Sequence, residues 1–136
     1  MEDGYLIPGE AGLAALPERF GDGPVVMVNL IRFRDEAGEP CEGMTGAEAY
    51  GRYSEGTIPF LEGAGARVIS ALACDEALIG PEDREWDMVI AVEYPSPRAF
   101  LTMVQDPGYL EVHRFRAAAL EDSRLIPSRP LPTPGG

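Results

Sequence analysis

Residues 106–122, DPGYLEVHRFRAAALED, contain a group of side chains that could do chemistry. At 100° per residue, Tyr109, His113 and Arg116 fall on one face of the helix that this pattern predicts. Apolar residues share the face, which indicates that it packs inward. A buried phenol, imidazole and guanidinium each need a hydrogen-bond partner. We therefore expect this face to line either a polar network or a ligand pocket.

Arg116 and His113 carry the most chemistry on this face. A guanidinium suits recognition of a carboxylate or an enolate, but Arg116 could instead form a buried ion pair with an acid such as Glu93 or Asp87. His113 is the only histidine, and an imidazole titrates near neutral pH in an ordinary environment. It could act as a general acid or base, or it could be a structural histidine at the solvent edge.

An amide interrupts the apolar strand predicted over residues 24–34. If Asn29 points to the same side as Met27 and Ile31, its amide must be hydrogen-bonded or cost about 1–3 kcal/mol. Asn29 is then either a core amide satisfied by its neighbours or a donor and acceptor in a ligand pocket. Arg32 has the opposite parity and lies near the strand end, where a solvated arginine is expected.

Two further side chains complete the predicted site. Tyr53 lies on a helix stripe with Tyr50, where it either packs with its hydroxyl at the rim or donates to a substrate oxyanion. Glu93 shares a strand face with small apolar residues, so it could be a partly buried carboxylate that pairs with Arg116. The predicted catalytic residues are His113 and Glu93, and the predicted substrate-binding residues are Asn29, Tyr53, Tyr109 and Arg116.

The composition of the chain excludes several classes of function. With 136 residues it is long enough for one domain. Its 23 acidic and 11 basic residues give a net charge of −12, which argues against a nucleic-acid or anionic-membrane partner. All of the basic residues are arginines, so lysine Schiff-base chemistry is excluded. The chain has no long apolar run and no secretory pattern at its start, so we expect a cytoplasmic protein.

The sequence also gives no sign of a metal or a cofactor. A single histidine excludes a multi-histidine metal site within one chain. No phosphate-binding loop, dinucleotide fingerprint, nucleophile elbow or zinc-protease motif is present, so no cofactor is expected. Of the two cysteines, Cys74 lies in an apolar run and is expected to be buried. Cys41 lies in a polar loop and is expected to be exposed.

The order of predicted elements is β-α-β-β-α-β, with the second helical region split in two. Thr45 is a plausible helix cap, and Ser96-Pro97 and Asp106-Pro107 are strong helix starts. This order is typical of the ferredoxin-like α+β fold, an antiparallel sheet with helices on one face. The predicted divisions are an N-terminal extension with a short helix (1–23), the ferredoxin-like domain (24–128) and a flexible Pro/Gly tail (129–136).

Helices on one face leave the other face of such a sheet bare. The side of the first strand that carries Val25, Met27, Asn29, Ile31 and Phe33 is too apolar to stand in water, and we expect it to be this bare face. An exposed apolar sheet of that size implies a partner. The economical partner is a second copy, packed sheet to sheet in a closed dimeric α/β barrel.

Three stretches, MVNLIRF, WDMVIAVEYPS and DPGYLEVHRFRAAALEDSRLI, together resemble the domain of unknown function 1330 family in the dimeric α/β-barrel superfamily. The resemblance covers residues 24–128. It implies a ferredoxin-like homodimer with a cleft between sheet and helices, and Arg116 falls where the family has an arginine seven residues after a tyrosine. Relatives in the superfamily include cofactor-independent monooxygenases, haem-handling enzymes, muconolactone isomerases and stress-responsive barrel proteins.

Two functions from different classes follow. The first is a small-molecule enzyme or ligand-binding barrel. If it is catalytic, the expected chemistry on a small organic acid is proton transfer next to a carbonyl or cofactor-independent oxygenation. His113 or Glu93 would then move the proton, while Arg116 and Asn29 would stabilise the anion. The alternative is a non-catalytic homodimeric binding or interaction module whose polar residues satisfy one another. A closed pocket too small for an organic ligand would favour the alternative.

Overall fold

The computed structural model describes residues 9–81 and 86–132. Within them, the four strands form one open antiparallel sheet in the order β2-β3-β1-β4. This order and the helices packed on the sheet confirm the predicted ferredoxin-like α+β fold. The elements are α1 (Glu10–Phe20), β1 (Val25–Phe33), α2 (Gly46–Ala64), β2 (Arg67–Ala73), β3 (Met88–Tyr94), α3 (Pro97–Gln105), α4 (Pro107–Ala119) and β4 (Leu120–Ser128).

Local sequence sets where the helices begin. The Thr45 hydroxyl accepts a hydrogen bond from the Glu48 amide at 3.1 Å, and the Glu48 carboxylate accepts one from the Thr45 amide at 2.9 Å. This reciprocal capping box starts α2. Ser96 and Asp106 cap α3 and α4, and a proline follows each of them at the first helical position. The three predicted helix starts are confirmed.

Two boundaries differ from the sequence pattern. The apolar periodicity extends a helix to residue 122, but α4 ends at Ala119. Residues 120–122 join β4 because β1 offers them partners, with Phe33 opposite Leu120 and Arg32 opposite Asp122. The sequence predicts one long strand or two strand pieces over residues 66–80, but the strand there spans only Arg67–Ala73. Residues 74–80 lie beyond the register with β3.

The prediction of which sheet face is bare was wrong. Val25, Met27 and Ile31 are 0%, 2% and 0% exposed, because they lie beneath the protein's own helices. Asn29 also faces this side of the sheet, where it lines a cavity under the helices. The two sides of β1 are almost equally apolar, so alternation alone could not show which side the helices cover.

The open face of the sheet carries the other half of β1. Val28 lies between Ala91 of β3 and Ile126 of β4, and Leu30 lies opposite Val89. Ile126 is 46% exposed. This face is therefore also apolar, and we call these five residues the open-face patch.

Close contact between α2 and α4 positions the side chains beneath them. A Cβ atom on Gly56 would lie 3.0 Å from a Val112 methyl, and one on Gly108 would lie 2.9 Å from the Phe60 ring. Glycine at these two positions lets the helix surfaces approach each other. Later residues of α2 meet earlier residues of α4, so the two helices run antiparallel.

Candidate functional site

A cavity of about 790 Å³ lies between the helices and the covered face of the sheet. Its volume is within the range of small-molecule pockets, roughly 300–1,000 Å³. Most of its wall is apolar and comes from β1, β3 and helices α2 to α4. The polar or hydroxyl-bearing side chains of the wall are Asn29, Tyr50, Tyr53, Ser54, Thr57, Tyr94, Tyr109, His113, Arg116, Ser123 and Arg124.

The structure brings five of the six predicted site residues to this cavity. They are Asn29, Tyr53, Tyr109, His113 and Arg116. The helix phase predicted for residues 106–122 is thus confirmed, since Arg116 is 6% exposed while the side chain of Arg114 is 54% exposed. The roles of the five residues remain predictions.

Glu93 does not belong to the cavity. It lies opposite Val26 in the sheet register, on the face that the helices leave open. Its carboxylate accepts a hydrogen bond from Arg67 Nε at 3.0 Å. The predicted pair between Glu93 and Arg116 is therefore wrong, because the sheet separates them. The parity of Glu93 with Val89 and Ala91, opposite to Val92, already indicated this placement.

Asp87, the other acid that the sequence offers as an ion-pair partner for Arg116, lies next to the end of β1 instead. Its carboxylate accepts a hydrogen bond from the Phe33 amide at 2.8 Å, next to the end of β1. Its own backbone amide donates to the Ile31 carbonyl at 2.8 Å. Asp87 therefore ties the start of β3 to the end of β1.

Arg116 places a buried guanidinium in the wall of the cavity. Its Nη2 donates to the Asn29 amide oxygen at 3.4 Å. The positive charge of Arg116 also counteracts part of the rise that burial causes in the pKa of Tyr50. Asn29 therefore interrupts an apolar strand because its amide oxygen receives the guanidinium across the cavity. We call Arg116, Asn29 and Tyr50 the arginine cluster.

Tyr53 and Tyr109 meet in the middle of the cavity. Their hydroxyl oxygens are 2.9 Å apart in a hydrogen bond, and their rings pack edge to face. Burial is the main cause that raises the pKa of Tyr109 far above its usual range, and the nearby Tyr53 raises it further. Tyr109 therefore keeps its proton at neutral pH and can serve as a hydrogen-bond partner but not as a base.

His113 lies between the tyrosine pair and the arginine. Its ring centroid is 5.8 Å from that of Tyr109 and 6.5 Å from that of Tyr53. Burial lowers the pKa of His113, and the positive charge of Arg116 lowers it further. The imidazole is therefore neutral at neutral pH, so one ring nitrogen has a lone pair that can accept a proton.

Thr57 and Tyr94 belong to the cavity wall, but the sequence analysis did not place them there. Tyr94 shares strand parity with Ile90 and Val92, so the alternation of β3 could have found it. Thr57 lies two helical turns after Tyr50, on the same helix stripe, and that spacing was the available signal. Its hydroxyl is buried and has no hydrogen-bond partner among the described residues.

Residues 9–81 and 86–132 contain neither a cluster of metal ligands nor a membrane-spanning helix. This part of the chain contains no group of three or more histidine, cysteine, aspartate or glutamate residues that could hold a metal ion. None of its helices is both long enough and apolar enough to cross a membrane.

The fold and the cavity define a ferredoxin-like α+β protein with a pocket beneath its helices. The model of the family described as "Domain of unknown function (DUF1330)" matches residues 42–127, and the chain belongs to this family. The chain is 42% identical to a crystallised protein of unknown function from Rhodopseudomonas palustris, with a TM-score of 0.88. That match covers 96% of this chain and 99% of the other. A search of the curated proteins gives no match.

More distant solved structures share the fold. SnoaB, described as a cofactor-independent oxygenase from Streptomyces nogalater, is 16% identical, with a TM-score of 0.55 over 84% of this chain and 99% of its own. A Bacteroides fragilis protein of unknown function, described as dimeric and ferredoxin-like, is 14% identical. Its TM-score is 0.52, over 80% of this chain and 97% of its own.

Proposed function

We propose that the cavity binds a small organic acid, with the acid group at Arg116 and an apolar body between the helices and the sheet. The observation that carries this proposal is the buried guanidinium of Arg116 in the wall of a large and mostly apolar cavity. A guanidinium presents parallel N–H donors that match a carboxylate or an enolate. The Asn29 amide oxygen accepts a hydrogen bond from this guanidinium and helps to position it.

The charge of the cavity wall supports an anionic ligand. The whole chain carries a net charge of −12. Within the described part of the chain, none of the residues that line the cavity is an aspartate or a glutamate. Among the lining residues that the structure describes, a ligand carboxylate would therefore meet positive groups and no fixed negative charge.

The rest of the wall favours an apolar ligand body. Ile90 and Val92 rise from the sheet, and Leu61, Phe100 and Met103 face them from the helices. Removing apolar ligand surface from water contributes roughly 25 cal/mol per Å². An aromatic or branched body therefore adds affinity, while the acid group fixes the orientation of the ligand.

We infer that His113 is a general base acting next to a carbonyl of this ligand. A C–H bond on the carbon beside the carbonyl breaks, and the proton moves to the neutral imidazole. The electron pair becomes an enolate whose oxygen carries the negative charge. Arg116 stabilises that charge, and its effect is large because the site is buried. The reverse step returns the proton to carbon.

We also infer that the protein is a homodimer that packs the open-face patch against a second copy. The expected interface therefore lies on the opposite side of β1 from Met27, because the protein's own helices cover the Met27 side. The Bacteroides fragilis protein of similar fold is described as dimeric, which supports the inference. A cytoplasmic location remains a prediction from the sequence.

Binding is tested with a matched pair of compounds, 3-phenylpropanoate and its uncharged amide. Calorimetric titration should show that the acid binds at least about tenfold more tightly, since charge-assisted hydrogen bonds contribute about 1.5–3 kcal/mol. Equal binding of the acid and the amide would contradict the proposed anion site.

Proton transfer is tested with phenylpyruvate, whose methylene group lies next to a carbonyl. In deuterated water the protein should accelerate exchange of the methylene hydrogens, followed by nuclear magnetic resonance, and His113→Gln should abolish the acceleration. Binding without exchange would favour the non-catalytic alternative. Consumption of dissolved oxygen instead of exchange would favour oxygenation, the other reaction considered for an acid in this cavity.

A further inference from the structure

We infer that the cavity binds acids with a long alkyl tail, and that the tail leaves the cavity at the edge of the sheet formed by β2. The inference rests on the proposed function, because the acid group of the ligand must lie at Arg116. The chemical class is a carboxylic acid with an unbranched chain of medium length. Ile58 and Val68, which flank the exit, are thus specificity-determining residues and take no part in proton transfer.

One row of residues across the sheet shows where the helices stop covering it. Met27, Val92 and Val68 lie opposite one another on β1, β3 and β2, so their side chains share the helix-covered face. Met27 is 2% exposed and Val92 is 8% exposed, but Val68 is 53% exposed. All seven residues of β2 are exposed. At this row the helices therefore cover β1 and β3 and leave β2 open to solvent.

Ile58 and Val68 form the two sides of an opening into the cavity. Both residues line the cavity, and Ile58 is 50% exposed. Ile58 is turned about 80° around α2 from Tyr50, so it lies on the flank of the helix face that covers the cavity. A side chain that lines a cavity and is half exposed lies where the cavity meets solvent. Val68 belongs to the sheet and Ile58 to the helix that leads into β2, so the exit lies between these two elements.

Another half-exposed position of the wall is less suited to be the exit. Leu110 of α4 lines the cavity and is 52% exposed. However, α4 leads directly into β4, where Ser123 also lines the cavity and is only 4% exposed. The sheet is therefore covered on that side, and Leu110 serves as a control position.

The distance from the arginine to the exit sets the length of the tail. Arg116 donates to Asn29 on β1. Val68 lies two strands away from Asn29 and two residues along the sheet. With strands about 4.8 Å apart and a rise of about 3.3 Å per residue, Asn29 and Val68 are separated by about 12 Å. An extended chain advances about 3.5 Å for every three bonds, so an acid of about ten carbons reaches the exit.

Calorimetric titration with hexanoate, octanoate, decanoate and dodecanoate, each kept below the concentration at which it forms micelles, tests the tail. The wild type should bind each acid once per chain. Each methylene added between hexanoate and decanoate should tighten binding by about two- to fourfold, because it buries further apolar surface. An affinity that stops rising at octanoate or earlier would contradict the inference.

A double variant tests the exit. Ile58→Gln/Val68→Thr makes both sides of the exit polar, so it should weaken dodecanoate binding by about fivefold or more and leave hexanoate binding within about twofold. Leu110→Gln makes the same kind of change at the control position and should leave both acids within about twofold. Circular dichroism verifies that the variants fold. A loss of dodecanoate binding in Leu110→Gln but not in the double variant would overturn an exit at β2.

Arg116→Met separates this inference from the proposed function. The variant should weaken the binding of hexanoate and dodecanoate by similar factors of about tenfold or more, because both acids place a carboxylate at the same guanidinium. If dodecanoate binds equally to Arg116→Met and the wild type, its tail binds elsewhere and the inference is wrong. If hexanoate depends on Arg116 but dodecanoate binds no more tightly, the tail site is wrong and the arginine site stands. If none of the acids binds, the proposed function and the inference are both wrong.

Discussion

Arg114 and Arg116 lie two residues apart on α4 in opposite surroundings. Arg114 is exposed and forms an ion pair with Glu111 at 3.5 Å on the helix surface. Arg116 is buried and reaches Asn29 on the sheet. The same type of side chain therefore occupies two different environments, set by a rotation of about 200° around the helix axis. At this scale, chemistry depends on which neighbours desolvate a group and which neighbours bond to it.

The first prediction concerns the tyrosine pair. Tyr109→Phe removes one hydroxyl and leaves that of Tyr53 without this partner, so we expect a loss of about 1–2 kcal/mol in the free energy of unfolding. Urea denaturation measures the loss. The double variant Tyr53→Phe/Tyr109→Phe should lose less than the sum of the single variants, because the hydroxyls bond to each other. A loss of less than about 0.3 kcal/mol in Tyr109→Phe would mean that the hydroxyl bond contributes nothing.

The second prediction concerns pH. The folded protein lowers the pKa of His113 below its value of 6.5 in the unfolded chain. As the pH falls below 6.5, the imidazole of the unfolded chain takes up a proton, while the folded protein keeps that of His113 neutral to lower pH. The free energy of unfolding therefore falls in acid. His113→Gln should therefore lose less stability than the wild type between about pH 7.5 and pH 5. Parallel stability curves for the two proteins over that range would contradict the placement of His113.

At the scale of the elements, the helix starts were predictable because each depends on a few adjacent residues. Thr45, Ser96 and Asp106 all cap helices as the sequence indicates. Burial was harder to predict where it depends on distant packing. Cys41 was expected to be exposed and is 2% exposed, while Cys74 was expected to be buried and is exposed. The loop with Cys41 folds onto a core cluster, whereas Cys74 follows an edge strand.

The same contrast holds for the candidate site. Helical periodicity alone predicts that Tyr109, His113 and Arg116 share one helix face. The Arg116–Asn29 contact and the separation of Glu93 required the register of the sheet and the side that the helices cover. The unpaired hydroxyl of Thr57 could not be predicted at all, since it depends on every atom around it.

The third prediction tests the local control of α2. Thr45→Ala removes one half of the capping box, and we expect the free energy of unfolding to fall by about 1 kcal/mol. Chemical denaturation followed by circular dichroism measures the change. Thr102→Ala, an exposed threonine inside α3, is the matched control and should change stability by less than about 0.5 kcal/mol. If both variants lose the same amount, the cap does not determine the start of α2.

At the scale of the whole molecule, the sheet has one face under helices and one apolar face outside them. The open-face patch includes Val28 at its centre, with Ala91 on one side and Ile126 on the other. An apolar patch of this kind on a folded protein marks an interaction surface. A second copy would cover it economically, because the same patch would serve both partners in a two-fold arrangement.

The fourth prediction follows from this patch. Val28→Glu places a charge in the expected interface, so light scattering should show a folded monomer of 14.7 kDa where the wild type is a dimer. Ala47→Glu adds the same charge on the exposed side of α2 and should remain dimeric. Met27→Glu should unfold the chain instead, since Met27 lies beneath the helices. A monomeric wild type at micromolar concentration would overturn the inferred dimer.

The most direct test of the central claim is to titrate 3-phenylpropanoate into the wild type, Arg116→Met and Arg114→Met. Methionine keeps the apolar stem of arginine and removes its charge, and circular dichroism can verify that both variants fold. We predict that Arg116→Met weakens binding about tenfold or more, while Arg114→Met binds within about twofold of the wild type. Equal binding by Arg116→Met and the wild type, or a loss confined to Arg114→Met, would contradict an acid site at Arg116.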